Sequence, residues 1–97
     1  MNKEISLLIF IEVKPGLRNK QIEAFNILAP LVLAEKGCLQ YELKSVESDE
    51  NSFVLIEKWS SQKDLDNHDL TPHMIEADKL NPSFRAKAAR VLRLANI

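Results

Sequence analysis

The segment 37–73, GCLQYELKSVESDENSFVLIEKWSSQKDLDNHDLTPH, decides the fold of this chain. Residues 38–45 and 53–59 are rich in β-branched, aromatic and apolar side chains, a composition typical of strands. Residues 46–52 between them are almost entirely polar. The length and composition of this connection predict a β-hairpin.

Several polar side chains of this segment are expected to share one face of the hairpin. Because side chains alternate along a strand, Tyr41 lies with Leu39 and Leu43, and Glu57 and Trp59 lie together on the second strand. His68 and His73 follow where the chain turns back over the same face. These residues predict the wall of a pocket.

The flanking sequence supplies a strand and a helix before the hairpin. Residues 5–13 alternate in a pattern that predicts a strand covered on both sides. Pro15 and Gly16 end it, and apolar residues at helical spacing predict a helix over residues 17–34. Pro30 is expected to kink or shorten the last turns of this helix. Gly37 is expected to be its C′ residue.

Two short helices and a last strand are predicted after the hairpin. Ser61 begins a helix that ends near His68, and Thr71 followed by a proline begins another that ends near Leu80. Residues 88–97 predict the last strand. The order β-α-β-β-α-β predicts an α+β fold, the ferredoxin-like plait, in a single domain over residues 1–97.

One face of such a sheet has no helix to cover it. Leu8 and Phe10 of the first strand and Val54 and Ile56 of the third lie on this face. Apolar groups left uncovered favour association, so a homodimer is expected, in which the sheet of a second subunit covers this face.

Charge and cysteine content exclude several classes of protein. Thirteen basic and fourteen acidic residues leave a net charge of −1, which does not favour nucleic acid or a membrane surface as a partner. The apolar run 5–11 is much shorter than the about 20 residues that span a bilayer. Cys38 is the only cysteine, which favours a reducing compartment and a cytoplasmic location.

Three patterns in the chain resemble the antibiotic biosynthesis monooxygenase family. They are G-C-L-x-Y-E-L-x-S from Gly37, F-V-L-x-E-x-W from Phe53 and L-x-x-H-x-x-T-P-H from Leu65. The resemblance covers nearly the whole chain. It implies a dimeric α+β barrel with a pocket between each sheet and its helices. Several enzymes of the family oxygenate quinols or anthrones without a metal or flavin.

The chain carries no recognisable metal-ligand or phosphate-binding motif, so no cofactor is expected. Together with this absence, the resemblance implies a cofactor-independent monooxygenase whose partners are a small quinol-like substrate and dioxygen. An electron-rich phenolate can pass an electron to oxygen unaided. The protein must only remove a proton and stabilise the anion in a dry pocket.

We predict that His73, His68 and Glu57 are catalytic. His73 lies in the first turn of a helix, where the neutral form is favoured, and His68 lies near the end of another, where the charged form is favoured. His73 is then the better proton acceptor. The residues predicted to bind substrate are Tyr41, Leu55, Trp59, Met74 and Phe84.

Structural roles remain open for each of these residues. Glu57 could stabilise the fold through a loop, Arg90 or Arg93, because an inward carboxylate needs a partner. The aromatic residues and Met74 could belong to the core, and either histidine could pack or face solvent.

Two other functions remain open. An isomerase-like or binding protein for a signalling compound is implied by related plait proteins. Haem degradation is less favoured, because the related haem-degrading proteins use an Asn on the first strand and residues 5–13 contain none.

Overall fold

In the computed structural model, which describes residues 3–97, the chain forms one sheet with helices packed on one face. The elements are β1 (Ile5–Glu12), α1 (Arg18–Leu33), β2 (Cys38–Val46), β3 (Asp49–Trp59), α2 (Gln62–Asp69), α3 (Pro72–Leu80), a 3₁₀ turn (Asn81–Ser83) and β4 (Arg90–Leu94). Neighbouring strands are antiparallel and follow the order β2-β3-β1-β4. The predicted α+β ferredoxin-like fold is confirmed.

The hairpin is tighter than its polar connection predicted. Val46 pairs with Asp49, so only two residues connect the strands, and residues 49–52 belong to β3. Asp49 pairs with β2, and the end of β1 reaches Ser52, which lies opposite Glu12. The prediction of a connection over residues 46–52 is therefore wrong, because pairing with β2 and with the end of β1 outweighs the loop-like composition.

The end of α1 lies within one residue of its predicted position, but the residue after its cap is not the predicted one. The helix continues for three residues beyond Pro30 and is capped by Ala34. Gly37 is therefore not the C′ residue. It lies in the turn before β2 with a φ of +84°, a conformation that favours glycine. Its carbonyl accepts a hydrogen bond from Ser60 N at 2.8 Å.

The core lies between the inner face of the sheet and the helices. Its buried apolar members are Ile5, Leu7, Ile11, Val13, Ala29, Val32, Tyr41, Phe53, Leu55, Trp59, Leu65 and Phe84. Leu39 is an exception to the predicted alternation: an irregularity in pairing between Cys38 and Gln40 accompanies its exposure. Within residues 3–97, no helix is both long and apolar enough to cross a membrane.

Candidate active site

A cavity of about 670 Å³ lies between the sheet and the helices. This volume is within the range of about 300 to 1,000 Å³ that is usual for small-molecule sites. Its walls are largely apolar, formed by side chains such as Leu7 of β1, Leu28 of α1 and Met74 of α3. A limited set of polar groups interrupts this surface.

β3 contributes the carboxylate of Glu57 to the cavity wall. Glu57 and Trp59 are buried on the same strand face, and Trp59 Nε1 donates a hydrogen bond to Glu57 Oε1 at 2.9 Å. His68 Nε2 lies 3.9 Å from the same carboxylate oxygen. Burial raises the pKa of Glu57, while the Trp59 hydrogen bond and His68 act to lower it. The observed hydrogen-bond partner of Glu57 is the Trp59 indole, and neither Arg90 nor Arg93, which the sequence had offered as partners, pairs with it.

Glu35 connects the two histidines and was missed by sequence analysis. His68 Nδ1 lies 2.9 Å from Glu35 Oε2, and His73 Nε2 lies 2.7 Å from the same oxygen. A carboxylate only accepts hydrogen bonds, so both of these ring nitrogens are assigned as donors. In neutral His73 this leaves Nδ1 as the acceptor. We call Glu35, His68 and His73 the His–Glu–His cluster.

A pair of caps fixes the positions of the histidines. Ser61 Oγ accepts a hydrogen bond from Asp64 N and begins α2, which carries His68 in its last turn. Thr71 Oγ1 accepts from Met74 N and donates to the His68 carbonyl at 2.8 Å. Thr71 therefore joins the end of α2 to the start of α3. This junction places both histidines within hydrogen-bond distance of Glu35.

Tyr41 forms an aromatic part of the wall beside His68. Its ring stacks on Phe25 of α1 at 5.5 Å between centroids and meets the edge of His68 at 6.2 Å. Burial is the largest cause that raises the pKa of Tyr41, and the charge of Glu57 adds to it. The phenol is therefore neutral over the physiological range.

The structure brings most of the predicted site residues to one cavity. Those that line it are Tyr41, Leu55, Glu57, His68, His73 and Met74. Trp59 and Phe84 lie in the core and do not line it. Trp59 contacts two residues that line the cavity. Its indole donates a hydrogen bond to Glu57, and its ring centroid lies 4.4 Å from that of His68. For Trp59 and Phe84 the structure favours the core role that the sequence left open.

Gln21 and Arg85 also line the cavity and were not predicted. Arg85 Nε donates to Gln21 Oε1 at 3.0 Å, and Gln21 is buried on α1. These positions are 64 residues apart, and the sequence gives no pattern that joins them. Among residues 3–97, no group of three or more His, Cys, Asp or Glu side chains is arranged to hold a metal ion.

The comparison with known families agrees with this fold. The family model described as antibiotic biosynthesis monooxygenase matches residues 5–80. The chain belongs to this family. The match includes Glu35, both histidines and Glu57 but ends before Arg85.

Curated relatives are about one third identical to the chain over the segments that align. "Putative monooxygenase YcnE" of Bacillus subtilis is 35% identical over 71% of this chain and 73% of its own length. "Probable quinol monooxygenase YgiN" of Escherichia coli K12 is 32% identical over 72% of this chain and 77% of its own length. An uncharacterized Synechocystis protein, sll1783, is 31% identical over 84% of this chain, which spans only 55% of that protein.

The fold is shared with solved structures. The crystal structure of PA3566 from Pseudomonas aeruginosa superposes with a TM-score of 0.90 at 26% identity, over 100% of this chain and 97% of that one. The family assignment and the relatives support a monooxygenase-like function. They leave open which substrate this chain uses.

Proposed function

We propose that the protein is a cofactor-independent monooxygenase that oxygenates a small quinol-like aromatic substrate in the cavity. The observation that carries the proposal is the His–Glu–His cluster, whose two histidines line a largely apolar cavity while Glu35 holds them from behind the wall. An apolar surface suits an aromatic ring, and the cluster supplies the base that a phenol requires. The relative named a quinol monooxygenase supports the same substrate class.

His73 is the proposed base. Glu35 holds Nε2 and favours the tautomer in which Nδ1 accepts a proton from a hydroxyl of the quinol. The resulting anion passes an electron to dioxygen, and recombination forms a carbon–oxygen bond. One oxygen atom remains in the product and the other leaves as water, so a quinol and dioxygen give a hydroxyquinone and water. Low polarity around the anion strengthens its interaction with nearby donors.

We further propose that the active form is a homodimer and that it works in the cytoplasm. The outer face of the sheet supports the first proposal: Leu8 lies opposite Ile56, Phe10 lies opposite Val54, and none of these apolar residues belongs to the core that residues 3–97 form. The lone cysteine, Cys38, supports the second, because reducing compartments keep thiols unpaired.

The test is oxygen uptake with menadiol as substrate. Purified protein should consume oxygen faster than the same quinol with heat-denatured protein, which measures autoxidation. With ¹⁸O₂, mass spectrometry should find one labelled oxygen atom in the hydroxyquinone. Uptake equal to autoxidation for menadiol and a panel of related quinols would remove the proposal and favour the signalling-compound alternative.

The same preparation tests the absence of a cofactor. We expect a colourless protein with no flavin or haem absorption band. A flavin band that persists through dialysis would contradict the cofactor-free mechanism, whatever the oxygen uptake.

A further inference from the structure

Arg85 places a positive charge on the cavity wall at a position fixed by the backbone. Its main chain forms a β-bridge with Val13, and its N–H donates to the Asn81 carbonyl at 2.9 Å. The neighbouring Phe84 carbonyl accepts from Lys14 N, also at 2.9 Å. The segment is therefore attached to the end of β1.

The side chain of Arg85 is held at one nitrogen only. Nε donates to Gln21 Oε1 at 3.0 Å, and Gln21 is itself 4% exposed. The two terminal nitrogens form no hydrogen bond or ion pair with any other residue in the range 3–97. No fully buried side-chain nitrogen or oxygen of the described residues lacks a hydrogen-bond partner. The terminal guanidinium nitrogens of Arg85 have no partner among these residues, so they are at least partly accessible to a ligand.

The surroundings of Arg85 make its unpaired terminal nitrogens unusual. Burial lowers the pKa of Arg85, while the charge of Asp78 acts to raise it. Asp78 is exposed and does not form an ion pair with Arg85. A guanidinium remains protonated even so. A partly buried cation without a counter-ion is a costly arrangement that an anionic ligand would relieve.

We propose that Arg85 is the part of the cavity that binds a carboxylate or another anionic oxygen substituent of an aromatic ligand. Two parallel N–H groups of a guanidinium match the two oxygens of a carboxylate, which a lysine cannot reproduce. Tyr41 lines the same cavity, and its hydroxyl makes no hydrogen bond within residues 3–97. It is a second donor for the same group.

The inference takes the aromatic nature of the ligand from the proposed function. It narrows the proposed substrates to aromatic compounds that carry an anionic group. A ligand held by Arg85 at an anionic group and by the apolar walls at its ring has one orientation in the cavity. The preferred substrate is then a quinol that carries an acidic substituent, in preference to a neutral quinol such as menadiol. Gln21 acts as a positioning residue because it fixes the guanidinium.

The experiment compares two ring systems that differ in their charge. Isothermal titration calorimetry would measure binding of 2-naphthoate and of 2-naphthol at neutral pH under nitrogen. Wild-type protein should bind 2-naphthoate more tightly. Arg85→Met should weaken 2-naphthoate binding about tenfold or more, as expected for loss of hydrogen bonds to a charged group, and should change 2-naphthol binding little.

Arg93→Met is the matched control. Arg93 also lines the cavity, but its Nη1 already donates to Gln62 Oε1 at 2.7 Å. This variant should keep the wild-type preference. Arg85→Lys keeps a charge without the fork and should fall between wild type and Arg85→Met. It also serves if the methionine variant does not fold, which circular dichroism would reveal.

Two results would overturn the inference: wild-type protein that does not prefer 2-naphthoate, or wild-type affinity for 2-naphthoate in either folded Arg85 variant. Neither probe is a quinol, so turnover does not enter the measurement. Protein that binds 2-naphthoate through Arg85 but does not oxygenate quinols would remove the proposed function alone. Quinol oxygenation without any carboxylate preference would remove this inference alone.

Discussion

His73 Nε2 lies 2.7 Å from Glu35 Oε2, although 38 positions separate the two residues in the chain. The same carboxylate receives His68 Nδ1, so one side chain after α1 orients a histidine from each of two later helices. His68 is 2% exposed, whereas His73 is partly open, at 21% of its side-chain surface. His73 is thus the member of the pair that is more accessible to a ligand.

The base assignment predicts a large kinetic effect. His73→Ala should lower the rate of oxygen uptake with menadiol by about 10² to 10⁴-fold, the usual value of general acid–base assistance. Glu35→Gln should give a smaller loss, because the amide keeps the shape but accepts a weaker hydrogen bond from Nε2. The rates would be measured with an oxygen electrode at saturating quinol.

Met74→Ala and His68→Ala are the comparisons for this prediction. Met74 follows His73 on α3 and lines the cavity, so its loss affects packing without removing a base. Both comparisons should lose less activity than His73→Ala. If both histidine variants kept wild-type turnover while Trp59→Ala alone was impaired, the acid–base role would be wrong and the cavity would act by positioning.

Glu57 predicts a pH dependence of stability. Its pKa is raised above the ordinary value of 4.5, mainly by burial. The native state therefore keeps the proton that the unfolded chain has released. The contribution of Glu57 to the free energy of unfolding is fully present below pH 4.5, the ordinary pKa that applies to the unfolded chain. It is lost as the pH rises through the higher pKa of the native state.

Glu57→Gln isolates this contribution, because glutamine can still accept from Trp59 Nε1 and does not ionise. The free energy of unfolding of the wild type, relative to that of the variant, should be higher in mildly acidic buffer than at neutral pH. A difference of about 1 kcal/mol moves the Tm of a domain of this size by about 4 to 8 °C, which thermal melts resolve. A pH-independent difference would contradict the raised pKa.

Local patterns made much of the fold predictable. Alternation along residues 53–59 predicted the buried face of β3 that carries Glu57 and Trp59. Ser61 and Thr71 marked the starts of α2 and α3, and both side chains cap in the structure. Each of these signals lies within a few residues of the feature that it predicts.

The missed parts depend on distant pairs. Glu35 occurs in the segment Ala-Glu-Lys-Gly after α1, and two adjacent charged residues at that place are typical of a solvated helix end. Its function in the cluster depends on residues 33 and 38 positions later. Arg85 and Gln21 meet over an even longer separation. Such contacts follow from how α1, α2 and the segment before β4 pack, which local periodicity does not determine.

Gly37 and Gly16 form a matched pair for a stability test. Both have positive φ, +84° and +82° respectively. A Cβ at Gly37 would collide with the Asp64 side chain, whereas a Cβ at Gly16 would meet nothing within 4 Å. Gly16→Ala should therefore cost only the backbone term of about 1 to 2 kcal/mol.

Gly37→Ala should cost distinctly more than Gly16→Ala. The displaced Asp64 carboxylate accepts hydrogen bonds from the Ser60 and Ser61 hydroxyls, which hold its pKa below the ordinary value. Moving it would disturb the start of α2, which carries His68. Urea unfolding would measure both variants, and equal losses would show that the contact with Asp64 is unimportant.

The outer face of the sheet predicts the assembly. Ile56 of β3 lies opposite Leu8 of β1, which lies opposite Leu92 of β4, so an apolar row crosses three strands. Arg90 stacks over the Phe10 ring at 4.6 Å and covers part of the adjacent row. In a monomer the apolar row would face water, and a second copy is the partner that we propose for it.

Ile56→Lys should therefore convert the wild-type dimer to monomer in analytical ultracentrifugation at micromolar concentration, because a charge buried between two sheets has no partner. Leu70→Lys is the control, since Leu70 is a 72% exposed apolar residue at the end of α2, in the helical layer. It should leave the sedimentation coefficient unchanged. A wild-type protein that sediments as a monomer would refute the assembly outright, whereas a dimer that persists in Ile56→Lys would move the interface away from this face of the sheet.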